Sequence, residues 1–398
     1  MIGVGSSVGA LTASEPSTST PDSDPPDPDG QSEGFDRDRA WGMLIGSAVG
    51  DAWGGPLEFK RVDRTVPGVL GRPLKDVVAT PVGELPEFPG RLPDYQTFRP
   101  AAEPYGVWNE RAATGSVTDD TRLKLILLQA YQSAGRPPSP EQLAATMLRG
   151  DVFDNPLSDE WLTEYRRGCR RQLGAETIRP LTHLWGGVPN CTGQMMMTPI
   201  AVTAAASGWT PMATYRCVDR LDFLDAPPAR DLTAALVVGL AAVVRGTRSA
   251  EVNEAVRRLR DAMTTTDPFD LAAVPFIGRE VNRWIDLAEG IANAARGDLG
   301  SWMRGLERRG KPRYYWDAHF TFIVAWSVLH LTDWNFRRSL TCLTAFGHDT
   351  DSYAQLAGAL AGAVHGPDMM PTSWIHAVEE SLKRDYDTDP RTWIDTLT

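Results

Sequence analysis

The chain has 398 residues, enough for one large domain or two ordinary ones with a sizeable core. Hydrophobic residues make up 42% and charged residues 23%, and a net charge of −11 argues against a broad basic surface for nucleic acid. Four cysteines, Cys169, Cys191, Cys217 and Cys342, lack CxxC pairing and suggest neither a zinc cage nor a disulfide framework. With no run expected to span a membrane and no basic leader, the chain reads as a reduced cytoplasmic protein, taken as a monomer.

Residues 1–35 are Ser-, Thr-, Pro-, Asp- and Gly-rich, with six acidic residues and no basic one. Such a segment cannot bury enough apolar surface to offset chain entropy, so it reads as a disordered tail. The fold is expected to be one compact all-α domain over 36–398. It opens in "FDRDRAWGMLIGSAVGDAWGGPLEF", where Gly42, Gly46, Gly50 and Gly54 recur every four residues. That period puts them on one helix face, and since each costs about 1 kcal/mol relative to alanine, it implies close packing against another backbone. Residues 60–113 are Pro- and Gly-rich and read as a long loop or flap near the site, with a short strand in "GRPLKDVVA".

Helical patterns then dominate: "DDTRLKLILLQAYQSAG", "PEQLAATMLRG", "DEWLTEYRRGCRRQLG", "ARDLTAALVVGLAAVVRG", "SAEVNEAVRRLRDAM", "GREVNRWIDLAEGIANAARG", "HFTFIVAWSVLHL" and "DSYAQLAGALAGAVHG". The last has a small face of Ala354, Ala357, Gly358, Ala361 and Gly362. No strand series alternates with these helices, so a parallel sheet is not expected.

Two acid clusters stand where helices begin. Thr118, Asp119 and Asp120 open one; Thr118 suits an N-cap and an acid in the first turn suits the helix dipole, which accounts for one acid more easily than for two. Asp349, Asp351 and Ser352 open the other as D-x-D-S, a set suited to hard oxygen ligation of Mg²⁺, Mn²⁺ or Ca²⁺. Two matching clusters favour a two-metal site over simple capping. Asp51 and Glu58 lie where the glycine helix ends, and Glu58 between Leu57 and Phe59 has apolar surroundings that fit it for proton transfer.

"GMLIGSAVGDAWGGPLEF", "TDDT" and "GHDTDSYAQLAGALAGAVHG", in that order and followed by "MMPTSWIHAVEE", resemble the signature blocks of the ADP-ribosylglycohydrolases over about 38–385. The resemblance implies an all-helical fold with two divalent cations, Mg²⁺ or Mn²⁺. It implies metal ligands Thr118, Asp119, Asp120, Asp349, Asp351 and Ser352, with Glu58 and Asp120 catalytic. Asp51, Asn190, Gly193 and His348 would line the substrate, an ADP-ribosylated protein or a small-molecule ribosyl compound. The adjacent Asp119 and Asp120 are then tolerated because dications neutralise them.

The lining departs from the family pattern. A Gly-Asn-Gly segment running into Met-Arg is replaced by "NCTGQMMMTP", with Met196 for the arginine; Asp222-Phe223 stands for Thr-His, and His348 for a glycine. Hydrolysis of another ribosylated metabolite or nucleoside, with Tyr314, Tyr315 or Trp316 as stacking faces for a base, is one alternative; an ADP-ribose-binding pseudoenzyme is another. The His348-Asp349 doublet alone does not make a metal phosphohydrolase, since His183, His319, His330, His365 and His376 show no matching spacing. Asp151 and Asp154 read as a solvated loop, and Met195–Met197 as core filler.

Overall fold

A computed structural model describes residues 34–88, 90–94, 97, 112–149, 163–174, 190–246, 251–270 and 279–398. The expected tail, 1–35, falls almost wholly outside these, as do Asp151, Asp154 and His183.

The first helix, α1 (Arg37–Gly54), is capped by Asp36, whose carboxylate accepts the Arg39 N–H at 3.0 Å. Next come α2 (Val62–Leu70) and α3 (Leu74–Ala79), then α4 (Asp119–Ala134), α5 (Pro140–Arg149) and α6 (Thr163–Gln172). The centre of the chain holds α7 (Thr192–Met196), α8 (Ile200–Ala206), α9 (Pro211–Leu221), α10 (Pro227–Val244), α11 (Val252–Thr265) and α12 (Glu280–Ala295). The last third holds α13 (Leu299–Gly305), α14 (Ala318–Leu331), α15 (Phe336–Phe346), α16 (Thr350–His365), α17 (Thr372–Tyr386) and α18 (Trp393–Leu397). Among the described residues there is no strand, only a bridge between Asn190 and Asp317. The fold is all-α.

Two expectations are corrected. "GRPLKDVVA" is helical in α3, not a strand, and the stretch read as a flap carries α2 and α3. Val62, Val66, Val69 and Leu70 fall at helical spacing, which outweighs the missing N–H of Pro67. The second concerns α10, whose 18 residues with mean hydropathy 1.4 are long and apolar enough to cross a membrane. That window is 72% buried inside the fold, because α10 packs against α8, α9 and α11. Apolarity all round is what a core helix needs.

The central contact is between α1 and α16, which run antiparallel with backbones touching. A Cβ on Gly42 would stand 2.6 Å from the Gly362 carbonyl oxygen, one on Gly46 2.5 Å from that of Gly358, and one on Gly50 2.0 Å from that of Ala354. A Cβ on Gly54 would stand 2.3 Å from Asp351 Cα. The glycine period is therefore the imprint of one helix on the other, and it fixes the end of α1 against the start of α16. All four cysteines are buried and unbridged.

Candidate active site

Three helix ends meet at one cluster of acids. The start of α16 lies against the end of α1, where the Thr350 hydroxyl donates to Gly54 O at 2.9 Å and the Phe59 N–H donates to His348 O at 2.7 Å. This brings Glu58 to Asp349 and Asp351. From inside α1, Asp51 reaches the start of α4. Its carboxylate accepts the Thr118 hydroxyl at 2.6 Å, the Thr118 N–H at 3.0 Å and the Thr121 N–H at 3.0 Å. Asp51 is fully buried, and through these bonds it positions the Thr118–Asp120 turn. Behind that turn, α17 holds the approach: the Ser116 hydroxyl donates to Asp385 at 3.2 Å, and Arg122 Nε donates to the Tyr386 hydroxyl at 2.6 Å.

One oxygen each from Asp51, Asp120 and Asp351 lies within 4.8 Å of the others, as does one each from Glu58, Asp349 and Asp351. Asp351 belongs to both groups. Asp120 Oδ2 and Asp349 Oδ2 are buried with no hydrogen-bond partner among the described residues. Orphaned buried carboxylate oxygens are costly, and divalent cations with oxygen preference satisfy them. The residues present therefore fit such cations. Thr118 caps α4 by accepting the Asp120 N–H at 3.3 Å, and the Ser352 N–H donates to Asp351 at 3.0 Å, so both hydroxyl residues stand beside the acids.

Crowding the acids shifts their proton affinity. Burial, opposed by Arg122 and reinforced by Asp51, pushes Asp119 up to about 7. Burial, opposed by the Ser352 hydroxyl, pushes Asp349 up to about 7. Burial and then the neighbouring carboxylates push Asp120, Asp351 and half-buried Glu58 well above their usual range. A carboxyl whose folded value is raised stabilises the metal-free fold at acid pH, and that contribution is lost as pH rises through the folded value. Cations require the deprotonated forms. Saturating Mg²⁺ or Mn²⁺ should therefore raise Tm little near about pH 5 and strongly near about pH 7.5. Melting curves with EDTA and with metal at both pH values check this; an equal shift at both contradicts it.

The remaining lining comes from the segment after Asn190. Asn190 bridges to Asp317, and the Cys191 N–H donates to Trp316 O at 3.2 Å. Cys191 Sγ lies 3.8 Å from Ser352 Oγ, a proximity that its bland scattered placement in the sequence did not signal. Gly193 is not free for substrate at its N–H, which donates to Asp225 Oδ2 at 2.8 Å. A Cβ there would stand 2.1 Å from Asp222 Oδ2, so the glycine leaves room for the buried Asp222 carboxylate. Met196, standing where the family's arginine is expected, is buried. His348 has φ 65° and stacks on Tyr315 at 3.6 Å, so it holds a left-handed backbone that glycine would favour. Beside Glu58, exposed Phe59 meets Trp316 edge-on at 6.0 Å, and Tyr314 stacks on Trp316 at 5.0 Å. Sequence reading raised Trp316 and Tyr314 but passed over Phe59.

Fold and site together define an all-helical protein whose acid cluster is built from three helix ends. The sequence profile of the ADP-ribosylglycohydrolases matches residues 33–398, and the chain belongs to that family. Its function is accordingly of the glycohydrolase kind. A solved structure described as an ADP-ribosylglycohydrolase-related protein complex shares the fold, with TM-score 0.52 at 20% identity over 90% of this chain and 96% of that one. No curated protein matches the sequence.

Proposed function

We propose that the protein is a metal-dependent hydrolase that cleaves a glycosidic bond to ADP-ribose, freeing ADP-ribose from a protein side chain or a small molecule. The observation that carries the reading is the convergence of Glu58, Asp51, Asp120, Asp349 and Asp351 with two orphaned oxygens among them. Asp120, Asp349 and Asp351, with Asp119 and the hydroxyls of Thr118 and Ser352, would hold two divalent cations, Mg²⁺ or Mn²⁺. Such cations supply positive charge that polarises ribose hydroxyls and a water. Glu58, with its carboxyl held well above the usual range by burial and by Asp351, is the proton-transfer group. The O–H of water adds at the anomeric carbon, the bond to the acceptor breaks, and the proton goes to the acceptor atom. Phe59, Tyr314 and Trp316, exposed beside Glu58, offer flat faces for a base or other planar part of the substrate.

The test is release of free ADP-ribose from arginine-linked, serine-linked and small-molecule-linked ADP-ribose, with Mg²⁺, Mn²⁺ or EDTA. The expected result is release from at least one linkage that EDTA stops. Tight binding of ADP-ribose with no release from any linkage would instead identify a binding protein. Release that EDTA leaves unchanged would overturn the metal dependence.

A further inference from the structure

His348 stands immediately before Asp349 with a left-handed backbone, φ 65°, and follows Gly347 at φ 75°. Its carbonyl oxygen accepts the Phe59 N–H at 2.7 Å and the Thr350 N–H at 3.0 Å. The turn that brings Asp349 beside Glu58 is therefore fixed through the backbone. Glycine would make the same turn with less strain, since it has no Cβ to crowd the carbonyl. A histidine there carries that strain, and the imidazole, which the turn does not use, needs an account of its own.

The ring stacks on Tyr315, with centroids 3.6 Å apart and planes 10° from parallel, and meets Phe346 edge-on at 5.0 Å. Tyr315 is itself held: its carbonyl accepts the Tyr353 hydroxyl at 2.7 Å. The turn that carries it is fastened by fully buried Asp317, whose Oδ2 accepts the Arg313 N–H at 2.8 Å and the Tyr314 N–H at 3.1 Å. One residue on, Trp316 meets Phe59 at 6.0 Å. This turn thus closes, through two ring contacts, onto Phe59, which follows Glu58, and onto His348, which precedes Asp349. In the proposed reaction the proton goes to the acceptor atom by way of Glu58. The acceptor therefore lies against these rings, and rings stacked at 3.6 Å leave no passage between them.

We propose that His348, stacked on Tyr315, is a specificity-determining residue that walls the acceptor side of the site and restricts the substrate to ADP-ribose on a small molecule rather than on a folded protein. This rests on the reading of the protein as a hydrolase that releases ADP-ribose. A folded acceptor has to bring its surface past the His348–Tyr315 and Phe59–Trp316 contacts, and a free amino acid does not.

The test compares ADP-ribose on free arginine or serine with the same linkage on a folded protein, for the full-length wild type, His348→Gly and His348→Ala. By kcat/KM the wild type should favour the free amino acid by about tenfold or more, and both variants should cut that preference by about tenfold, the scale on which a pocket wall discriminates. The shift should come from a lower KM for the protein-linked substrate. In EDTA, His348→Gly should melt above His348→Ala, because both lose the ring and only glycine relieves the left-handed turn. The preference should shift equally in both despite that difference in Tm. A preference unchanged in both, or lost only in the variant of lower Tm, would overturn the role of the ring and leave the hydrolase reading standing. A wild type that cleaves the protein-linked form as well as the free one would do the same. No release by the wild type from either form of either linkage would overturn both.

Discussion

Asp351→Asn should lower kcat/KM for ADP-ribose release by at least about a thousandfold, because changes one shell further out already cost about 10–100-fold at metal sites. Asp351 is the carboxylate shared by both acid groups of the cluster. Asparagine keeps its volume and its oxygen toward the Ser352 N–H but removes the charge. The fold should survive, with a Tm in EDTA equal to or above that of wild type, since a crowded negative charge has been deleted. Asp120→Asn should behave similarly, because Asp120 carries an orphaned oxygen into the acid cluster. Steady-state kinetics with melting curves check both; turnover within tenfold of wild type would remove Asp351 from the centre.

Gly358→Ala should destabilise the protein by about 3 kcal/mol or more, near the top of the range for overpacked cores. The new Cβ would stand 2.1 Å from the Gly46 carbonyl oxygen and 2.7 Å from its carbon, so the obstacle is backbone on the facing helix and no rotamer relieves it. The helices must part, and parting moves the start of α16 away from the end of α1. Activity should therefore fall with stability, unlike at Asp351. Denaturant unfolding checks the first effect and activity at low temperature the second. A mild loss below about 1 kcal/mol would mean that the close approach is less rigid than the contact implies.

The parts of the site legible in the sequence were those written as local pattern. Gly42 to Gly54 at period four announced a backbone contact, and the structure supplies the partner helix, whose own Gly358 and Gly362 complete it. Thr118–Asp120 and Asp349–Ser352 announced themselves as acids at helix starts. What the sequence did not carry was placement across the chain. Asp51 was legible as a residue that follows the glycines, but not its bonds to Thr118 and Thr121. Gly193 looked like a shifted substrate glycine; Asp222 and Asp225, some thirty residues on, use the room it leaves and its N–H. The α2–α3 region was obscured by prolines that fit the first turn or tolerate a lost hydrogen bond. The apolar run of α10 could be placed inside the fold only once its neighbours were known.

The most direct measurement is anomalous diffraction at the manganese edge from crystals of the Mn²⁺-loaded protein. The account predicts ions at the acid cluster, held by Asp120, Asp349 and Asp351 with Asp119, Thr118 and Ser352. Ions elsewhere, or a cluster empty of ions in a protein that still releases ADP-ribose, would contradict it.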